Sequence, residues 1–338
     1  MKNNIERSHT CPVVYLKNYA SESDKYYEEI KNKGFRESTR EDYEIWVYDK
    51  HQDRKFRTNL SNVAVRKKFY SQESEKLFQL FENKVAKEIE KIRGPHLSTE
   101  LILIDLIPIF RFMVYQLIRT PKFQKKLLRD QEFLKSMDQE TYEKSIMRLA
   151  FAKVSEDITK ELINNIHEDL IFYNLLEDRY NHFTAVILRN KLYNPLLTSD
   201  SPVIYDNIEF FPTYLEELGK YTFSVMLNSQ SFLYFPLSRE FSVAFYNFSS
   251  DQQGGIGITD EITNFDLLNQ LNSLIFRFSE RFIYVKYYKD LEYVREIRKI
   301  CGDNLNEEYP TLEKTHNIME KLTEDKKKPN IRFHKGKL

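Results

Sequence analysis

The first place suited to polar chemistry is a histidine near the start of the chain. His9 precedes Pro12, whose ring fixes its own φ and biases Cys11 toward extended backbone, so the imidazole would have a defined position. Imidazole acts as a general acid or base near neutral pH. His9 is therefore a catalytic candidate. The alternative is a histidine that ties down the chain entry through a hydrogen bond.

A second candidate is the pair Gln116 and Arg119, three residues apart on a strongly apolar helix that ends at Thr120-Pro121. An arginine packed among apolar residues needs a carboxylate, backbone carbonyls or an anionic ligand. Arg119 could therefore clamp a phosphate in a bidentate manner, with Gln116 beside it. An internal ion pair is the equally open alternative.

Glu82 and Glu88 flank the apolar stripe of a long helix. The stripe consists of Phe78, Phe81, Val85, Ile89 and Ile92. At ~100° per residue, both carboxylates lie about 60° from its centre, on opposite sides. Such boundary carboxylates are usually solvated, but one of them could reach Arg119.

The fourth candidate is Asp200, in the segment that runs from Thr198 to Val203 and includes Ser199. A carboxylate at the end of a strand is well placed for catalysis or metal binding. An aspartate before Ser-Pro can equally accept hydrogen bonds from its own downstream backbone in an Asx turn. The sequence leaves both interpretations open.

Composition excludes several classes of phosphate site. The 338 residues carry 51 Lys+Arg and 51 Asp+Glu, so the chain is not a generally basic nucleic-acid binder. Only eight residues are glycine, about a third of the usual ~7% share. The one glycine cluster, 254–257, has neither P-loop nor Rossmann spacing. Any phosphate site would therefore be built from side chains such as Arg119.

Hydrophobic patterning predicts an α+β fold that forms one compact unit. We expect an N-terminal extended segment over His9–Tyr19, a predominantly helical middle over about 60–178 and a mixed strand-helix part over about 180–290. Predicted helices cover 59–70, 78–92, 98–118, 123–136, 139–151, 153–176 and 264–282. Predicted strands cover 43–48, 183–188, 231–235 and 241–246. The predicted domains are 1–290, a helical extension over 291–322 and a basic flexible tail over 323–338.

The sequence indicates neither a metal centre nor a membrane segment. Cys11 and Cys301 have no CxxC spacing, and no histidine pair has metal-ligand spacing. The most apolar window, 101–115, is too short and too polar to span a bilayer. We therefore expect a cytoplasmic protein with no membrane partner and no indicated cofactor. A divalent metal held by Asp200 and Glu82 stays open.

Five short elements occur in an order that resembles the bacterial domain-of-unknown-function family DUF4238. The elements are His9-x-x-Pro12-x-x-Tyr15-Leu16-x-x-Tyr19-Ala20, Ser61-Asn62-Val63-Ala64 with Phe69-Tyr70, Gln116-x-x-Arg119-Thr120-Pro121, Thr198-Ser199-Asp200-Ser201-Pro202-Val203 and Phe235-Pro236-Leu237-Ser238. Asn272 falls at a further family position. The chain departs from the family pattern at Cys11, Ser201 and Arg239, and the resemblance spans roughly residues 9 to 285.

The resemblance implies a cytoplasmic bacterial protein with a phage-defence or toxin-like role. It brings no established catalytic residue, so every role assigned to a side chain here comes from its chemistry.

Two functions follow from these residues. The first is a phosphate-substrate hydrolase or nuclease in which His9, Arg119 and Asp200 are catalytic and bind a nucleic acid or nucleotide. Gln116, Glu82, Ser199 and Asn272 would support them. The second is a non-enzymatic binding or sensor module whose motifs hold the fold, with Arg119 buried against Glu82 and Asp200 fixing a turn. Whether the protein is an enzyme and which oligomeric state it adopts stay open.

Overall fold

The structure, a computed structural model, describes 7–9, 11–67, 72–93, 103–118, 120, 183–215, 220–247, 256–302 and 318. The helices in these ranges are α1 (Val13–Leu16), α2 (Asp24–Lys33), α3 (Gln72–Arg93), α4 (Leu103–Ile118), α5 (Phe265–Phe278) and α6 (Asp290–Cys301). The strands are β1 (Arg7–His9), β2 (Ser21–Glu22), β3 (Tyr43–Asp49), β4 (Arg54–Asn59), β5 (Val65–Lys67), β6 (Phe183–Asn190), β7 (Thr198–Ser199), β8 (Ile204–Leu215), β9 (Lys220–Pro236), β10 (Phe241–Asn247), β11 (Ile256–Ile262) and β12 (Phe282–Val285).

One five-stranded sheet has the order β11-β6-β10-β9-β8 and is antiparallel except where β11 runs parallel to β6. In β6 the four residues 185–188 are all buried, and in β10 the six residues 241–246 are all buried. Such continuous burial is typical of strands covered on both faces. Helix α4 contacts β10 through Phe110 and Phe245, and α5 contacts β8 through Phe278 and Tyr205.

The second five-stranded sheet joins residues from both ends of the described chain. Its order is β2-β3-β12-β7, and β4 pairs with the other edge of β3. Strands β2 and β12 lie end to end along one edge of β3, pairing with residues 43–44 and 46–49. The predicted strand 43–48 is thus confirmed. A separate two-stranded ladder joins β1 to β5.

Helix α5 follows its sequence pattern closely. The predicted helix 264–282 is confirmed as Phe265–Phe278, and its predicted stripe of Leu268, Leu271, Ile275 and Phe278 is buried. Asn264 caps the helix, since its side chain accepts a hydrogen bond from the Asp266 amide.

The prediction of a predominantly helical middle is wrong. The described ranges contain twelve strands and six helices, so the fold is α+β, with α3 and α4 as the helices of the middle part. The predicted helix 59–70 is replaced by a 3₁₀ turn over Leu60–Asn62 and strand β5. The cause is local, because Ala64 has φ of 53°, which an α-helix does not accommodate. The predicted helices 123–136, 139–151 and 153–176 lie outside the described residues.

The N-terminal segment is extended only in part. Of the predicted segment His9–Tyr19 only His9 lies in a strand, β1, and the chain turns helical after Pro12, through α1 and a 3₁₀ turn over Lys17–Tyr19. Proline is well tolerated at a helix start because its missing N–H would have no partner there. The β-branched pair Val13-Val14 favours extended structure and made the local pattern misleading.

The predicted domain boundary near residue 290 falls at the start of α6. This helix packs against α5 and against β12 and β3 of the second sheet. The predicted tail over 323–338 lies outside the described residues.

Candidate functional site

The proposed catalytic trio cannot be assembled from the described residues. His9 lies in β1, where its backbone pairs with Val65 of β5, but its side chain lies outside what the structure describes. Arg119 also lies outside the described residues. Asp200 is described fully, so the chemistry open to it can be tested directly.

Asp200 is buried, and both of its carboxylate oxygens accept backbone hydrogen bonds. Oδ1 accepts from the Glu280 amide at 2.9 Å, and Oδ2 accepts from the Arg281 and Phe282 amides at 2.8 and 3.0 Å. The Asp200 amide in turn donates to the Phe282 carbonyl at 3.1 Å. Burial raises the pKa of Asp200, and the three amides only partly offset it. This carboxylate therefore holds the turn between α5 and β12.

Two further charged residues hold the same turn from the end of β3. Lys50 is fully buried, and its ammonium donates to the carbonyls of Phe276 and Ser279 at 3.2 and 2.5 Å. Asp49 accepts from the Arg281 guanidinium at 2.6 Å. We call Asp49, Lys50 and Asp200, with the turn Ser279–Phe282, the turn clamp. Asp49 and Lys50 were not recognised from the sequence, because an Asp-Lys pair after a strand is typical of an exposed turn.

Three of the four supporting residues named from the sequence are also buried in the scaffold, whereas Glu82 is half-buried at a cavity beside α1. The Ser199 hydroxyl accepts from the Ser201 amide at 3.1 Å. Asn272, on α5, donates to the Pro195 carbonyl at 2.8 Å and accepts from the Leu197 amide at 2.8 Å. Its side chain thereby fixes the segment that leads into β7. Gln116 is fully buried on α4.

Three of the sequence motifs meet at Tyr15. Its hydroxyl donates to the Pro236 carbonyl at 2.7 Å and lies 2.5 Å from the Thr198 hydroxyl. Its ring stacks on Phe235 at 4.7 Å between centroids and contacts Phe112 of α4 at 6.4 Å. The motifs therefore converge in space, but they converge on a buried packing centre.

We expect Tyr15→Phe to lower the free energy of unfolding by about 1–3 kcal/mol, because the Pro236 carbonyl and the Thr198 hydroxyl lose a buried partner. Tyr284→Phe is the matched control. The Tyr284 hydroxyl is buried and has no hydrogen-bond partner among the described residues, so its removal should be close to neutral. Urea unfolding of both variants measures the difference. Equal losses at the two positions would contradict the role of Tyr15.

A cavity of about 260 Å³ opens beside α1. It is lined by Val13, Val14, Lys17, Arg40, Tyr43, Leu60, Gln79 and Glu82. The Lys17 ammonium lies 4.5 Å from the centre of the Tyr43 ring. The motif residues Tyr15 and Leu16 are buried, so only the spacer positions of the first motif face the cavity.

Five partly exposed aromatic residues lie at the start of α5, in the loop after β6, in β3 and in the turn after β12. We call this group the aromatic stripe, and it consists of Phe265, Tyr193, Tyr287, Tyr288 and Trp46. Tyr193 is 76% and Tyr288 57% exposed. The Tyr193 and Phe265 rings lie 5.4 Å apart, and the Tyr288 and Trp46 rings lie 5.0 Å apart. Exposed aromatic rings in such a group indicate an interaction surface.

Cations lie beside the rings of the stripe. Arg239 donates to the Tyr193 carbonyl at 2.9 Å, and its guanidinium lies 5.5 Å from the centre of the Tyr287 ring. The ammonium groups of Lys286 and Lys289 lie 5.5 and 5.7 Å from the same ring. The stripe thus combines exposed π-faces with positive charge.

The rings of Tyr288 and Trp46 also lie beside cations. The Lys55 ammonium lies 5.6 Å from the centre of the Tyr288 ring, and the Arg57 guanidinium lies 5.9 Å from that of Trp46. The stripe was not recognised from the sequence, because its residues are far apart along the chain. The local signal was the run Lys286-Tyr287-Tyr288-Lys289, in which two lysines flank two tyrosines.

Within the described ranges, no three His, Cys, Asp or Glu side chains lie close enough together to bind a metal ion. The described helices also include none with the length and apolar character needed to cross a bilayer.

Comparison of the chain with curated proteins and with solved structures found no match in either set. The family comparison did find one, over residues 7–287, which includes α1, both five-stranded sheets and the turn clamp. This confirms the family indicated by the five sequence motifs. The chain belongs to DUF4238, a family described as a protein of unknown function.

Proposed function

We propose that this protein is a non-enzymatic binding module whose motif residues hold a scaffold. The observation that carries the proposal is the set of hydrogen bonds made by Asp200, the carboxylate of the fourth motif. Its two carboxylate oxygens accept three backbone hydrogen bonds within a buried turn. A carboxylate has about four acceptor sites, so the turn itself occupies three of them and commits the group to the scaffold.

Other motif residues support the same conclusion. Ser199 and Asn272 each bond backbone groups of the segment around β7, and the Tyr15 hydroxyl joins the first motif to the fourth and fifth. Buried polar groups in full internal networks make a structure rigid and specific. Their arrangement explains short motifs in a fixed order without any reaction.

The competing hypothesis is a phosphate-substrate hydrolase or nuclease with a phage-defence or toxin-like role. It requires His9, Arg119 and Asp200 to reach one substrate. An anionic substrate would also need cations, and Lys17 and Arg40 at the cavity beside α1 supply them next to Glu82. No described contact, however, connects that cavity to Asp200.

Incubation of the protein with labelled single-stranded oligonucleotides, in buffer with Mg²⁺ or Mn²⁺, separates these functions. A binding module should leave the oligonucleotides intact after hours at micromolar protein. His9→Ala is the control for a trace contaminant, because a contaminating nuclease would cut equally in both preparations. Cleavage by the native chain that is lost in His9→Ala, at an unchanged melting temperature, would overturn the proposal.

A further inference from the structure

We propose that the aromatic stripe binds single-stranded nucleic acid through base stacking. This inference rests on the proposed function and names the partner of the binding module. Every base has a π-face, so a row of aromatic side chains holds successive bases with little sequence preference. The stripe offers such rings in two close pairs, Tyr193 with Phe265 and Tyr288 with Trp46, and Tyr287 directly precedes Tyr288 in the turn after β12.

The backbone that carries two rings of the stripe is ordered before any ligand arrives. The turn with Tyr287 and Tyr288 joins β12 to α6, and backbone hydrogen bonds secure it. The amides of Asp290 and Leu291 donate to the carbonyls of Tyr287 and Tyr288 at 3.0 and 3.1 Å. Preorganised side chains lose less conformational entropy when they bind. The stripe is therefore suited to a flexible ligand that must itself become ordered.

Charge complementarity favours a polyanion on this surface. Three stripe cations already have carboxylate partners, since Arg239 pairs with Asp290, Lys55 with Glu292, and Arg57 with both Glu44 and Asp24. Lys286 and Lys289 have no carboxylate partner within the described parts of the chain, where their ammonium groups are placed beside the Tyr287 ring. Two positive charges beside one exposed ring suit a ligand that carries phosphates next to its bases.

The two lysines without carboxylate partners predict how binding responds to salt. For single strands, the slope of log K against log salt is about −0.7 per phosphate neutralised, so two lysines give roughly −1.4. A steeper slope would indicate a mainly electrostatic contact elsewhere, such as the basic tail over 323–338. Duplexes should bind weakly, because their bases are already stacked and unavailable to the rings.

The test measures fluorescence anisotropy of labelled 15-nucleotide oligo(dT) and oligo(U) with the full-length chain. Tyr287→Ser/Tyr288→Ser should raise the Kd at least tenfold for both strands, since loss of each stacked base weakens binding several-fold or more. Tyr287→Phe/Tyr288→Phe keeps the rings and should bind like the native chain. Phe35→Ser is the matched surface control, because Phe35 is 86% exposed but lies outside the stripe.

A second readout places the ligand on the stripe itself. Trp46 is the only tryptophan in the chain, so its fluorescence reports one location. Unlabelled oligo(dT) should quench this fluorescence with the same Kd as the anisotropy titration. The double substitution Lys286→Gln/Lys289→Gln should weaken binding and bring the salt slope close to zero.

Several outcomes would overturn the inference. They are equal Kd values for the native chain and the Ser variant, unchanged Trp46 fluorescence at saturation, or equal affinity for a duplex of the same length. A change in oligomeric state with the Ser variant, without oligonucleotide binding, would assign the stripe to contacts between copies of the chain. If the oligonucleotide binds intact but independently of the stripe, only this inference fails. If it is cleaved with His9 dependence, the proposed function fails.

Discussion

Replacement of Asp200 by alanine should lower the free energy of unfolding by about 3–5 kcal/mol, because it leaves three buried amides without an acceptor. The amides belong to Glu280, Arg281 and Phe282, and the carboxylate that satisfies them comes from a strand end 80 residues earlier. We expect the melting temperature to fall by roughly 5 °C, because the unfolding entropy of a chain this long is large. Circular dichroism of the variant against the native chain measures the loss.

The variant Asp200→Asn tests how many of the three amides must keep an acceptor. The asparagine keeps one oxygen, which can serve two of the three amides, but its own NH₂ group then faces the third. We therefore expect a loss between that of Asp200→Ala and zero. A native-like melting temperature for Asp200→Ala would contradict the structural role. If that variant also lost a hydrolytic activity, Asp200 would be catalytic.

The second large effect concerns Lys50 and pH. Burial lowers the pKa of this ammonium group to about 8, from an ordinary value of 10.5. Between these two pH values the unfolded chain holds a proton that the folded chain has released. The free energy of unfolding therefore rises with pH, by about 2 kcal/mol from pH 8 to pH 10.

The rise should end near pH 10. Burial raises the pKa of Tyr15, Tyr234 and Tyr284 above the ordinary 10.0, so above that pH the folded chain holds protons that the unfolded chain releases. Stability then falls again. Lys50→Met removes the titrating group and should remove the rise from pH 8 to 10. If urea unfolding gave the same rise in the free energy of unfolding from pH 8 to 10 for the native chain and this variant, Lys50 would not be its cause.

The local hydrophobic pattern predicted the helices and strands whose formation depends on neighbouring residues. The apolar spacing of Leu268, Leu271 and Ile275 was sufficient to predict α5, and the alternation over 43–48 was sufficient to predict β3. It failed at Val13-Val14, where a preceding proline started a helix that β-branched residues disfavour. It failed again at Ala64, whose positive φ ends a pattern that resembles a helix.

The site was harder to predict because its parts are distant in sequence. The sequence identified Asp200 as a polar group of interest and left its role open between catalysis and a turn. The decisive partners lie at 280–282 and were not recognisable from spacing. The aromatic stripe combines Trp46, Tyr193 and Tyr287, and only the short run 286–289 marked it locally.

The sheet that contains β3 and β12 also sets the order of assembly during synthesis. Strand β3 ends at Asp49, but β12, which pairs with it, begins only at Phe282. At ~5–20 residues per second, a ribosome needs roughly 10–50 s to make the intervening chain. Until then, the edge of β3 that faces away from β4 lacks its partner strand β12. Lys50 and Asp49 likewise lack their partners in the turn clamp. The N-terminal strands therefore depend on the C-terminal part of the chain, and a protein shortened before residue 282 would leave an open sheet edge prone to aggregation.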